Sequence, residues 1–221
     1  WKIIEHDDKI FFNTESQIFV YDYSEIKVLQ IPGYPRLAFD VENRLLVQFY
    51  NIGLFEYINE DFVPILGTSN MPEIISIVPK KGGHYYFCKT GEAFTHEDQG
   101  KLTEIQYPIA FGSINDAVKL SSGDLSIATQ NNGLFILHPD LSLNQHLTKN
   151  KGLTDRTIRS VYEDDFKNLW VALNNGIDYL KLSLPFTLIN EEVGLKGTGY
   201  AAINFKNQFY LGTSNGVFVR K

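Results

Sequence analysis

The residues with the widest chemical repertoire in this chain are five histidines, His6, His84, His96, His138 and His146, and a single cysteine, Cys88. A metal centre needs ligands at fixed spacing. No histidine here stands in an HxH, HExxH or Cys-pair pattern, so they read as scattered loop histidines. Cys88 ends the apolar, strand-like run Tyr85-Tyr86-Phe87, which marks a buried structural thiol. Glu163-Asp164-Asp165 with Asn168 lacks the alternating order of a calcium loop and reads as an acidic turn capped by its own side chains. The carboxylate pairs Asp7-Asp8 and Glu191-Glu192 are adjacent, so in an extended chain they point to opposite sides and form no acid–base couple. Gly194–Gly199 (GLKGTG) has no strand–loop–helix context, so it does not read as a phosphate loop. The expectation is no catalytic set, no metal and no cofactor.

The elements that carry these residues repeat. Thr157–Leu180 reads strand, acidic turn, strand, Asn-Asn-Gly turn, strand, and the same order recurs at Ser113–Leu137 and Gly199–Val219. Weaker copies lie at Arg36–Tyr57, Ile74–Phe94 and Lys2–Tyr21. The turn anchors Gln17, Gly53, Gly91, Gly133, Gly176 and Gly216 are 36, 38, 42, 43 and 40 residues apart. Three or four short strands per period of this length describe a propeller blade. The glycine has a physical role, because a tight turn between antiparallel strands needs positive φ. The fold expected is all-β, a propeller of about six four-stranded antiparallel blades that form part of a larger propeller. The blades fall near 1–35, 36–70, 71–110, 111–152, 153–195 and 196–221. A fourth strand of the fifth blade is expected at Pro185–Ile189. Trp170, mid-strand between Leu169 and Val171, is expected in the core between blades.

Composition agrees with sheet. Twelve tyrosines and 16 phenylalanines supply rings that fit a pleated surface. The formal net charge of −6, with Lys80-Lys81 and Arg220-Lys221 the only adjacent basic pairs, argues against a nucleic-acid surface. No apolar run is long enough to span a bilayer.

The fifth repeat carries a family resemblance. Asn150–Thr154, Ile158–Val161, Glu163-Asp164, Asn168–Val171 and Asn175–Ile177 resemble the two-component regulator propeller repeat. Repeats four and six match it fairly, and the first three match in layout. The resemblance implies the periplasmic sensor region of a bacterial hybrid two-component system, or of a one-component regulator with a triple-tyrosine domain. It implies a membrane-anchored parent with a cytoplasmic kinase or DNA-binding output.

In a propeller, the loops joining second and third strands share a face with the loops leading into each first strand. On that face the sequence places Asn51, Asn131, Asn132, Asn174, Asn175, Asn215, Thr198 and Tyr200, with Arg159 near the start of an inner strand. Amides and rings together suit a small polar ligand such as an oligosaccharide, and Arg159, Tyr200, Asn131 and Asn174 are the candidate ligand-binding residues. The reading is therefore a sensor module that forms a homodimer through the propeller or its parent. The alternatives are a protein-interaction scaffold and, less favoured, a propeller lyase or glycosidase.

Overall fold

The computed structural model describes residues 2–96, 102–107, 109–182, 196–206 and 208–220. The expected strand at Pro185–Ile189, the pair Glu191-Glu192 and the start of the GLKGTG loop lie outside these residues. The chain divides into two compact units, Trp1–Leu182 and Ser183–Lys221.

The first unit contains five antiparallel sheets, each a meander in chain order. The first sheet is β1 (Lys2–His6), β2 (Lys9–Asn13), β3 (Ile18–Tyr21) and β4 (Ile26–Val28). The second is β5 (Pro35–Val41), β6 (Arg44–Phe49), β7 (Gly53–Ile58) and β8 (Asp61–Pro64). The third is β9 (Ile74–Lys80), β10 (Gly83–Cys88), β11 (Ala93–His96) and β12 (Leu102–Glu104). The fourth is β13 (Ile114–Lys119), β14 (Leu125–Thr129), β15 (Leu134–Leu137) and β16 (Leu143–Leu147). The fifth is β17 (Ile158–Glu163), β18 (Leu169–Leu173) and β19 (Ile177–Leu180). The second unit holds one sheet, β20 (Gly199–Phe205), β21 (Gln208–Thr213) and β22 (Gly216–Arg220). Among the described residues the helical content is one 3-10 turn, Lys149–Lys151.

The turns explain the meander. Asp7-Asp8, Glu42-Asn43 and Asn59-Glu60 all have positive φ at both positions, which matches the right-handed twist of the flanking strands. Gly53, Gly91, Gly133, Gly176 and Gly216 have positive φ in the turns between second and third strands. Where Gln17 replaces that glycine, Thr14 closes the turn instead. Its hydroxyl donates to the Gln17 carbonyl at 2.8 Å and accepts the Gln17 N–H at 3.1 Å.

Side-chain alternation along the strands builds four seams. Ile4, Phe11 and Val20 of the first sheet pack on Leu45, Val47 and Phe49 of the second. Leu46, one residue out of phase, faces the other way with Leu54 and meets Ile77, Tyr86 and Cys88 of the third sheet. Val78 and Phe87 then meet Ala117, Ile127 and Phe135 of the fourth. Ala128, Leu134 and Ile136 meet Val161, Leu169 and Val171 of the fifth. Each fully buried aliphatic or Phe side chain contributes about 1.5–3 kcal/mol, so these seams dominate the unit's stability. Cys88 lies in the second seam, and burial pushes its thiol up to about 12.

Two of the six sheets show three strands among the described residues, and the fourth strand expected for the fifth sheet lies outside them. On β18, Leu169, Val171 and Leu173 take the face buried against the fourth sheet, and Trp170 stands on the opposite face. Its indole N–H donates to Asp164 Oδ2 at 3.1 Å, and its ring lies 4.8 Å from that of Tyr179. The histidines are not scattered through loops. His6, His84, His96 and His146 stand on strands, and His6 and His84 are buried because each finds a carboxylate on the adjoining sheet. His6 Nδ1 is 2.8 Å from Asp40 Oδ2, and His84 Nε2 is 3.0 Å from Glu42 Oε2.

Candidate functional site

The upper end of each sheet is the end at which the chain runs into the first strand and turns from second strand to third. One backbone bond recurs there. The N–H of the residue after the second strand donates to the carbonyl of the residue before the first: Tyr50 to Tyr34 (2.8 Å), Lys89 to Glu73 (2.8 Å), Gln130 to Ser113 (2.8 Å) and Asn174 to Thr157 (3.0 Å). In the second unit Ser214 donates to Thr198 at 2.9 Å.

Directly below that bond, the pairing of first and second strands slips by one residue in every one of these sheets. The shifts lie between Pro35 and Ala38, Ile74 and Ser76, Ile114 and Asp116, Ile158 and Ser160, and Gly199 and Ala201. A β-bulge of this kind re-aims the extra side chain and is over-represented beside functional sites. The residues that follow the last upper pair are Arg36, Ile75, Asn115, Arg159 and Tyr200, one per sheet. In three sheets the side chain reaches the residue after the second strand. Arg36 lies over the Tyr50 ring, 4.4 Å from its centroid. Asn115 Nδ2 donates to Gln130 Oε1 at 3.1 Å, and Arg159 Nη2 donates to Asn174 Oδ1 at 2.8 Å.

Arg159 and Asn174, both read from sequence as ligand-binding, thus stand together at one bulge. Tyr200 occupies the same repeat position in the second unit and is exposed there. Asn131 is exposed in the turn between β14 and β15. Its neighbour Asn132 is a turn-holding residue, because its amide donates to the Phe111 carbonyl at 2.9 Å.

Of the second sheet's share of this face, sequence reasoning named Asn51 and missed the rest. Arg36, Tyr34, Tyr50 and Glu73 border a cleft of about 620 Å³ that also takes in Thr14, Glu15, Pro35 and Leu37. Arg36 and Asn51 line an adjoining cleft of about 270 Å³. Arg36 Nη1 lies 3.9 Å from Glu73 Oε2, and Lys89 Nζ holds the same carboxylate at 3.2 Å. Exposed rings beside a fixed arginine and carboxylate can stack on and hydrogen-bond a polar ring-shaped ligand. A signal for Arg36 was present: it stands two residues before the buried Ala38, as Arg159 stands two before the buried Val161.

The lower end differs. It carries the His6–Asp40 and His84–Glu42 pairs and a cleft of about 360 Å³ bordered by Arg44 and Glu56. The Arg44 guanidinium bonds both Glu56 oxygens, at 2.8 and 2.6 Å, and holds that carboxyl below the usual carboxylate range. Burial lowers His96, against which Tyr86 places its hydroxyl at 2.9 Å. Among the described residues no group of three or more His, Cys, Asp or Glu side chains is arranged to hold a metal ion. Among them, too, no helix is long and apolar enough to cross a membrane.

No family model matches the chain, and no curated protein matches it. Solved structures do. The extracellular domain assigned to the hybrid two-component system BT3049 of B. thetaiotaomicron superposes with a TM-score of 0.73 at 16% identity over 100% of this chain. The extracellular domain assigned to the one-component system BT4673 of the same organism gives 0.66 at 21% identity over 99%. Virginiamycin B lyase from Staphylococcus aureus gives 0.59 at 11% identity over 98% of this chain and 78% of its own. The chain spans about a third of the length of the two regulator domains, 32% in each case. With these likenesses added to the repeated meanders and seams, the chain has the β-propeller fold.

Proposed function

We propose that the chain is a ligand-recognition section of an extracytoplasmic sensor propeller. Its parent is a membrane-anchored bacterial signalling or transcription-regulating protein, and its ligand is small and polar, of the oligosaccharide class. The observation that carries this reading is the recurring bulge, which in the second to fifth sheets lifts one inner-strand side chain per sheet onto the upper face of the first unit. Apart from Ile75, those side chains and their partners are arginines, amides and rings, which recognise hydroxyls and ring faces. They supply no converging acid–base pair among the described residues, so the reading is recognition without catalysis. The regulator domains BT3049 and BT4673, described as extracellular, support the periplasmic location. Self-association into a homodimer belongs to the same reading. It is supported by an apolar row on the first sheet, Ile3, Phe12, Phe19 and Val28, aligned across four strands.

Glycan-array screening of the 221-residue chain, followed by titration of each hit against Arg36→Ala, Tyr50→Ala and Arg159→Ala, tests it. The expected result is oligosaccharide binding weakened by at least one of these substitutions. Binding to no glycan, or binding indifferent to all three, contradicts it.

A further inference from the structure

The upper end of the fifth sheet carries a charge opposite to that of the chain. The chain is net −6, yet residues 149–159 hold Lys149, Lys151, Arg156 and Arg159 against one carboxylate, Asp155. That carboxylate is committed to its own loop, where Oδ1 accepts the N–H groups of Arg156 at 2.6 Å and Thr157 at 3.2 Å. The neighbouring Asp178 is committed to Thr154, accepting its N–H at 2.7 Å and its hydroxyl at 2.6 Å. Among the described residues the arginines paired with carboxylates are Arg36, with Glu73, and Arg44, with Glu56. Arg156 and Arg159 are exposed and have no such partner among the described residues.

The contrast between the two bulge arginines is informative. Arg36 is covered by Tyr50 and faced by Glu73. Arg159, at the equivalent position, keeps one hydrogen bond, to the neutral amide of Asn174. That bond ties one end of the guanidinium to the bulge, and among the described residues its other N–H groups have no partner. A planar guanidinium fork tethered in this way matches the two oxygens of a carboxylate or sulfate. We infer that Arg159, with Arg156 three residues before it, forms a subsite for an anionic group, a carboxylate or a sulfate ester, on the sensed oligosaccharide. This rests on the sensor reading above and narrows its ligand to acidic sugars.

Isothermal titration calorimetry of the 221-residue chain tests it with five probes. They are an oligogalacturonate, its methyl ester, a chondroitin sulfate oligosaccharide, its desulfated form and a neutral xylo-oligosaccharide. An anionic probe is expected to bind and to lose about tenfold or more in affinity in Arg159→Gln. Arg156→Gln is expected to add to that loss, and Arg159→Lys to recover only part of it, since lysine lacks the fork. Masking the acid group on the same probe reproduces the loss; sensitivity to esterification identifies a carboxylate, and sensitivity to desulfation a sulfate. Because Arg159 is exposed, the denaturation midpoint of Arg159→Gln stays at the parent value. Equal affinity for charged and masked probes, preference for the neutral probe, or an anionic probe unaffected by the double substitution overturns the subsite and leaves the sensor reading standing. Binding of no probe overturns the subsite, and the glycan array decides the sensor reading.

Discussion

Gly133 and Gly176 hold equivalent turns, with φ of 75° and 97°, but their surroundings differ. A Cβ at Gly176 would meet nothing within 4 Å, so Gly176→Ala carries only the left-handed backbone penalty, about 1–2 kcal/mol. A Cβ at Gly133 would lie 2.2 Å from the Leu147 carbonyl oxygen, a backbone atom that cannot swing aside. Gly133→Ala is therefore expected to cost clearly more than Gly176→Ala in urea denaturation, and equal costs would contradict the packing described. The Asn-Gly pairs made both turns legible in the sequence. The close approach at Gly133 was not, because it depends on a strand ten or more residues downstream. A second residue-scale effect follows from Glu56, whose folded-state carboxyl is held below its ordinary value by Arg44. A depressed carboxyl stabilises the fold above its unfolded value and loses that contribution as pH falls through the folded one. Glu56→Gln should remove this part of the acid dependence, so its stability curve below about pH 4.5 should be flatter than that of the parent. Parallel curves would show that the pair contributes nothing.

At the scale of elements, the sheets are joined by buried polar bonds as well as by apolar seams. Gln48, on β6 and 2% exposed, donates from Nε2 to the Pro72 carbonyl and accepts the Ile74 N–H, both at 2.8 Å. Gln48→Leu keeps the volume but strands both partners at the start of β9. It is expected to destabilise by about 1–3 kcal/mol, measured by the shift in denaturation midpoint; a neutral result would mean that water satisfies both groups. The order of strands was legible from polar turns and period-two alternation. The bulge was not, because its residue type varies from Arg36 to Ile75, Asn115, Arg159 and Tyr200; what repeats is a backbone register. The cleft around Arg36 was missed for the same reason: Tyr34, Tyr50 and Glu73 meet only through that register and the next sheet. Which face of β18 meets the fourth sheet was not legible either, because Trp170 alternates with the equally apolar Leu169 and Val171.

For the whole molecule, the first sheet presents an apolar face opposite its seam. Ile3 is 70% and Val28 55% exposed at the ends of the row they form with Phe12 and Phe19. An uncovered apolar row of this kind favours self-association. Sedimentation equilibrium is expected to show a concentration-dependent dimer that Ile3→Lys weakens, and a monomer at all concentrations would contradict it. The central claim is that the upper face, built from the repeated bulges, is where a ligand is recognised. Hydrogen–deuterium exchange with and without an array-identified oligosaccharide tests it most directly. The account predicts slower exchange around residues 34–36, 73–75, 113–115 and 156–159, with the lower turns at 7–8, 42–43 and 81–82 unchanged. Protection confined to the lower turns, or none on the upper face under saturating ligand, would contradict it.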